Sequence, residues 1–420
     1  MNCIYTAKNL VSGNAPPVEG GALLVVAGRI AAVGTLKEVT RNNPEAEIVD
    51  FHDALLVPLL VNAHTHLELT DFPQWAETVD AAAQLENFVS WILHLIKVKR
   101  NLGAEQYQLS LRHGIAKSLA AGTGAVGDIL AHHGSRQLYQ DCLLVGSLFL
   151  ETLGQDPAVI CRLRDGLTLA LKDEAVGSVE LGISPHSPYS ISKDYLQWIY
   201  RYCRQQKIRC TTHLAESVDE VEFVEQGGGR LGSQLYPQIG WENYIPQASG
   251  LRPVEYIEQL GGLFPENLLA HGVQLNPAEI ERLADKKMWL VLCPRSNATL
   301  NVGKAPAEKL HRAGVKLALG TDSLASCDSL SIWDEMAFAH HWFNGELDAP
   351  TLFSMATLGG AEALGLENSI GSLEIGKSAS FQVLRPKTTV AITEIFDYFV
   401  SPGCTDDIVQ VYHRGESQAS

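Results

Sequence analysis

Eight short apolar runs divide the middle of this chain, separated by longer segments of helical spacing. The runs are Leu55–His64, Gly124–Leu130, Leu143–Glu151, Val179–Ser184, Ile208–His213, Leu268–His271, Trp289–Cys293 and Val315–Gly320. Segments such as Lys193–Gln206, Pro277–Lys286 and Ala305–Ala313 lie between them. A strand that is apolar along its whole length is buried on both faces, as in a parallel sheet covered by helices. Eight such units in series predict a closed (β/α)₈ TIM-type barrel over residues 57–367 rather than an open sheet. The two ends of the chain differ from this middle and resemble each other. Ala22–Gly28 and Arg29–Gly34 read as a hairpin joined at Gly28, and Phe381–Leu384 and Ile408–His413 read as further short strands. Residues 1–56 and 368–420 are therefore expected to form a separate, discontinuous β domain.

Polar residues stand where the predicted strands end. The first run ends in His64-Thr65-His66, the third in Glu151, the fifth in His213 with Glu216 three residues on, the sixth in His271, and the eighth leads into Thr321-Asp322. Alternate residues of a strand point to one side, so His64 and His66 can converge on one ion. Barrel enzymes build their sites at the C-terminal ends of their strands. His64, His66, His213 and Asp322 together offer three imidazoles and one carboxylate to a single divalent ion, Zn²⁺ or Fe²⁺. Neutral imidazoles leave such an ion most of its positive charge, which would make a bound water acidic near neutral pH. His271 can stand beside that water, and Glu216 can carry a proton to a leaving amine. Asp322, in Gly-Thr-Asp-Ser, has a second reading as a helix cap.

The 420 residues are 46% hydrophobic and 19% charged, enough for a large core, and carry a net charge of −16. That balance argues against nucleic acid and anionic membrane surfaces, both of which select basic patches. No apolar run approaches the ~20 residues of a membrane span. The N-terminus lacks a basic start followed by an apolar stretch, so no signal peptide is expected. The cysteines at 3, 142, 161, 203, 210, 293, 327 and 404 include no Cys-x-x-Cys pair and read as reduced thiols of a cytoplasmic protein.

Seven stretches, in order along nearly the whole chain, resemble the amidohydrolase superfamily, in its cytosine-deaminase-like and chlorohydrolase branch. They are Val26–Gly34, Val61-Asn-Ala-His-Thr-His-Leu67, Ser184-Pro-His-Ser-Pro-Tyr-Ser190, Thr212-His-Leu-Ala-Glu216, Cys293-Pro-Arg-Ser-Asn297, Leu319-Gly-Thr-Asp-Ser323 and Gly371–Lys377. The resemblance implies a (β/α)₈ barrel with a small β-sandwich made from both termini. It implies metal ligation by His64, His66, His213 and Asp322, proton shuttling by Glu216, and a catalytic role for His271. Strand four offers no lysine, which favours one metal ion per chain over two. His186 then reads as a substrate contact, or as a histidine locked in its Pro-rich turn. The implied reaction is hydrolytic deamination of a small molecule, and the branch often forms homodimers.

Departures narrow the substrate. Thioether-adenosine deaminases of the branch carry a tryptophan followed nine residues later by a glutamate that holds the ribose. Trp91 matches the first, but Arg100 stands at the second. The pairing of His64-Thr-His-Leu-Glu-Leu69 with Cys293-Pro-Arg-Ser-Asn297 is more similar to aminodeoxyfutalosine deaminases of menaquinone biosynthesis. Arg295 would suit a substrate carboxylate or a ribose hydroxyl, or would pair internally with a carboxylate such as Glu68, which is itself a candidate substrate contact. Glu151 reads as a sugar or ring contact, or as support for the metal ligands. Trp91 reads as a stacking platform or a helix–barrel filler. The same centre would also serve adenosyl-homocysteine, methylthioadenosine, guanine or triazine deamination, or dechlorination. A non-catalytic scaffold would be expected to have lost ligands, whereas all four and Glu216 are present.

Overall fold

The computed structural model describes residues 2–80, 83, 85–173 and 175–417. Eight parallel strands, labelled β1 to β8, run in chain order around a barrel: Leu60–Thr65, Thr123–Leu130, Val145–Glu151, Val179–Ser184, Cys210–Leu214, Asn267–His271, Trp289–Leu292 and Lys316–Leu319. Each pairs with the next in parallel register. The ring closes where Thr65 meets Asp322 just past β8, with Asp322 N–H donating to His64 O at 3.0 Å. Closure therefore runs through the residues expected to hold the metal.

The first apolar run does not form one strand. Leu55–Pro58 belongs to a sheet of the terminal domain, pairing with Phe381–Leu384 and Asn9–Leu10, and β1 begins only at Leu60. Proline has no N–H to give to a ladder, so the run changes sheets there. Leu60 N–H then bonds to Gly122 O at 2.9 Å, at the start of β2.

The termini form two sheets, one of four strands and one of six. The predicted hairpin is present: Gly21–Val26 pairs with Arg29–Thr35 around Ala27 and Gly28, both in the left-handed region at φ 49° and 75°. A two-residue turn with two positive φ values matches the twist of its strands. A Cβ on Gly28 would also lie 2.8 Å from Arg414 O. Leu23, Val25 and Tyr5 from one sheet pack against Leu56, Phe381 and Tyr412 from the other. The buried Gln382 fastens this domain to the barrel, accepting from Trp333 Nε1 at 3.1 Å and donating to Pro58 O at 3.0 Å.

Between β1 and β2 the described residues make a 3₁₀ turn at Leu67–Leu69 and three α-helices, α1 (Phe72–Asp80), α2 (Phe88–Lys99) and α3 (Ala104–Ala120). A reciprocal cap starts α2: Asn87 Oδ1 accepts from Ser90 N and Ser90 Oγ accepts from Asn87 N, both at 3.0 Å. Its Phe88, Val89 and Ile92 are buried against Leu231, Leu235 and Tyr236 of the long β5–β6 connection. These two excursions face each other above the barrel mouth. All eight cysteines are free thiols, and no helix among the described residues is long and apolar enough to cross a membrane.

Candidate active site

The strand ends bring five imidazoles together. The His64 ring centroid lies 5.4 Å from His66, 4.8 Å from His213 and 5.4 Å from His271, and His186 lies 4.9 Å from His213. His66 Nε2 and His213 Nε2 are 3.3 Å apart. Asp322 Oδ1 stands 3.5 Å from His66 Nε2 and 3.8 Å from His64 Nε2. The other carboxylate oxygen is held in place, accepting from Ser296 Oγ at 2.6 Å and Ser326 Oγ at 2.8 Å.

Backbone conformation aims several of these groups. His186, His271 and Asp322 have φ of 22°, 74° and 60°, and Ala215, between His213 and Glu216, has φ of 52°. Each left-handed non-glycine residue costs roughly 1–2 kcal/mol, so the surrounding structure must hold it. Glu220 does so at one corner, taking Ala215 N–H at 2.8 Å and Glu216 N–H at 2.9 Å. His186 O accepts from both the backbone and Nδ1 of His213, at 2.8 and 2.9 Å, leaving the His213 Nε2 lone pair toward the cluster. Asn297 Oδ1 takes Nδ1–H of His271 at 3.0 Å, turning Nε2 of that ring toward Glu216 Oε1, 3.8 Å away.

The donor set fits a divalent cation. Burial holds the His64 imidazole well below its usual range and lowers His66 to about 4, so both are neutral ligands at physiological pH. Among the described residues, both His64 nitrogens are buried and without a hydrogen-bond partner, a costly state for a polar group with nothing to bind. The nitrogens of His64, His66 and His213 lie within 4.8 Å of one another, beside the free Asp322 oxygen. Three nitrogens and one carboxylate oxygen suit Zn²⁺ or Fe²⁺. Burial pushes the Asp322 carboxyl up, but His66, His271 and the Ser296 hydroxyl outweigh it and keep the group ionised. Glu216 is the reverse case: burial, reinforced by the Asp322 charge, raises it well above the usual carboxylate range and so favours its protonated form.

The cluster opens into a cavity of about 430 Å³. Trp91, Leu95 and Lys99 of α2 form one wall, Leu235, Ile239 and Trp241 the other, with Glu151, His186, Tyr189 and Glu216 between them.

The Amidohydrolase family model matches residues 55–412, and an imidazolonepropionase-like composite domain of bacteria matches residues 21–46. The chain belongs to the amidohydrolase family. It is 30% identical over 373 residues to the aminodeoxyfutalosine deaminase of Deinococcus radiodurans, covering 86% of this chain and 85% of that one. It is also 30% identical over 382 residues to the 5-methylthioadenosine/S-adenosylhomocysteine deaminase of Nitratidesulfovibrio vulgaris, covering 87% and 79%. The fold superposes on Helicobacter pylori aminofutalosine deaminase with a TM-score of 0.84 at 22% identity, each chain covered in full.

In this amidohydrolase, two residues expected at the substrate lie elsewhere. Glu68 is buried, and its carboxylate takes the N–H groups of Ala131 and His132, both at 3.0 Å. Arg295 does not line the cavity: its guanidinium pairs with Asp328 and approaches Glu335 Oε2 at 4.0 Å. Arg295 is thus paired internally, but with Asp328 and Glu335 rather than with Glu68. Trp91 does line the cavity, its Nε1 donating to Ala325 O at 3.1 Å, and so do Glu151, His186 and Arg100. Sequence reasoning misses Ser296, Asn297, Glu220 and Lys99. The first two are within its reach, since they sit in the same Cys-Pro-Arg-Ser-Asn motif.

Two local features carry measurable consequences. Gly320 directly follows β8 and lies against His64, and a Cβ there would lie 2.6 Å from His64 O and 2.8 Å from His64 Cβ. Gly320→Ala is expected to cost about 1–3 kcal/mol in urea unfolding and to lower metal content. The fully buried Glu335 has its carboxyl pushed up by burial to about 8, against the lowering effect of Arg295. Unfolded, it titrates near about 4.3, so between those values the folded state holds the extra proton and stability falls as pH rises. Glu335→Gln is therefore expected to flatten the fall in unfolding free energy between about pH 5 and about pH 8.

Proposed function

We propose that this protein hydrolytically deaminates an adenine nucleoside, with aminodeoxyfutalosine as its substrate. One observation carries the chemistry: the buried Glu216 carboxyl lines the largely apolar cleft with its Oε1 3.8 Å from His271 Nε2, where burial favours its protonated form. His64, His66, His213 and Asp322 would hold one divalent ion, which when bound lowers the pKa of a water and stabilises developing oxyanion charge. The remaining steps belong to the chain. Glu216 delivers its proton to a ring nitrogen of the purine, making C6 electrophilic enough for water to add. His271, fixed by Asn297, orients the attacking oxygen through Nε2. Glu216 then takes a proton from that oxygen and passes it to the exocyclic amine; the C6–N bond breaks, ammonia leaves, and the remaining hydroxyl proton returns to Glu216 as the carbonyl forms. Apolar walls bearing Trp91 and Trp241 exclude water and suit flat rings.

The substrate assignment is supported by the Deinococcus radiodurans relative and by the His64–Leu69 and Cys293–Asn297 motifs. Relatives named for methylthioadenosine and adenosylhomocysteine match at the same identity and mark the competing substrates. An absorbance screen for adenine-to-hypoxanthine conversion on aminodeoxyfutalosine, adenosine, adenosylhomocysteine and methylthioadenosine decides among them. The highest kcat/KM is expected for aminodeoxyfutalosine. Turnover confined to guanine or a triazine would sink the nucleoside reading.

A further inference from the structure

His213 and His271 are aimed through their rings, and His66 is not. His213 Nδ1 is held by His186 O and His271 Nδ1 by Asn297 Oδ1. Among the described residues, nothing bonds to Nδ1 of His66, whose polar ring contacts are those of Nε2 with His213 and Asp322. His64 lies inside β1, but His66 lies one residue past its end, with φ of −129° and ψ of 75°. The β1–β2 ladder is also irregular between Asn62 and Thr65. The direction of the His66 side chain therefore depends on what holds the peptide groups on either side of it.

Both groups are held. His66 N–H reaches Asp322 O at 3.3 Å, and the next N–H, that of Leu67, donates to Asp128 Oδ1 at 2.8 Å. Asp128 stands on β2 opposite Thr65, and its other oxygen accepts from the Tyr139 hydroxyl at 2.7 Å. In the opposite direction, the turn after β1 sends Glu68 to the end of β2, where its two oxygens take the N–H groups of Ala131 and His132. Each strand end thus gives a carboxylate to the backbone N–H groups of the other. Both carboxylates are buried, and neither has an ion-pair partner among the described residues. A buried carboxylate is costly unless hydrogen bonds satisfy it, so these bonds hold their geometry firmly. The backbone they fix is the segment that follows His66 and the segment that faces it.

We propose that Glu68 and Asp128 are positioning residues for His66: this exchanged pair of carboxylates fixes the peptide after His66 and so points its Nε2 into the ion site. This rests on the single-ion reading above. The bonds predict an uneven response to substitution. Both partners of Glu68 are backbone N–H groups, which only donate, so Glu68→Gln sets its amide NH₂ against one of them. One partner of Asp128 is a hydroxyl, which also accepts, so Asp128→Asn can keep both bonds while Asp128→Ala loses both. Zn²⁺ affinity, measured by competition with a chromophoric chelator, is expected to fall about 10- to 100-fold in Glu68→Gln and Asp128→Ala. The visible spectrum of the Co²⁺ form should change with it, and Asp128→Asn should stay close to the wild type in both. Gln382→Leu is the control for simple destabilisation, since it removes two buried hydrogen bonds beyond the other end of β1. It should lower Tm and leave Zn²⁺ affinity and the Co²⁺ spectrum unchanged. Glu68→Gln keeps the shape of its side chain and carries the test if Asp128→Ala does not fold. Wild-type affinity and spectrum in Glu68→Gln or in folded Asp128→Ala would overturn the proposal. So would equal losses in Asp128→Asn and Asp128→Ala, or the same changes in Gln382→Leu. A wild-type protein that binds no Zn²⁺ would remove the ion and the positioning role together. Turnover enters none of these readouts, so they stand apart from the choice of substrate.

Discussion

Glu216→Gln is expected to leave the fold and metal content intact while lowering kcat by about 10²- to 10⁴-fold or more. The amide copies the size and shape of a buried side chain whose neutral form burial favours, so packing hardly changes. Glu220 holds the backbone at Ala215 and Glu216 through bonds the substitution does not touch. What disappears is the exchangeable proton. A carboxylic acid can give a proton to a ring nitrogen, take one from the attacking oxygen and pass it on to the amine; an amide does none of these. Steady-state rates with metal analysis on the same preparation check the prediction. A fall in both would make Glu216 a supporting residue of the metal centre. Unchanged turnover would refute the shuttle role.

Those parts of the site that depend on periodicity are legible in the sequence. Strand alternation puts His64 and His66 on one side, and the barrel rule places His213, His271 and Asp322 at strand ends. What escapes depends on rotation within short elements. In Cys293-Pro-Arg-Ser-Asn297 the sequence points to Arg295, the residue with the strongest hydrogen-bonding head. In the structure Pro294–Thr299 is a helical turn, and successive side chains rotate by about 100°. Ser296 and Asn297 therefore face Asp322 and His271 while Arg295 turns toward Asp328 and Glu335. The split of the first run at Pro58 is hidden because both halves are equally apolar and only their pairing partners differ. Lys99 escapes for a related reason. Along the chain it is one of several basic residues at the end of an amphipathic helix, and only the fold of α2 over the barrel mouth turns it inward.

Stripping divalent metal with a chelator is expected to abolish turnover, lower Tm by several degrees, and be reversed by about one equivalent of Zn²⁺ or Fe²⁺ per chain. The stability effect follows from the energetics of the cluster without an ion. His64 would keep two buried nitrogens without partners, and the Nε2 atoms of His66 and His213 would face each other at 3.3 Å. A cation relieves the coordinating His64 nitrogen and the facing Nε2 pair, because each of those lone pairs gains an acceptor, and the Asp322 charge gains a counter-ion. An ion that binds the folded chain and not the unfolded one at about 1,000 times its Kd adds about 4 kcal/mol. Asp322→Asn should weaken retention of the ion by removing the only carboxylate in the set, while Ser296 and Ser326 still anchor the side chain. Differential scanning calorimetry with metal analysis, on chelated, reconstituted and Asp322→Asn protein, checks these outcomes together. Identical melting of chelated and reconstituted protein would remove the cluster as a metal site. A stoichiometry near two would overturn the single-ion reading, which rests on the absence of a lysine from β4.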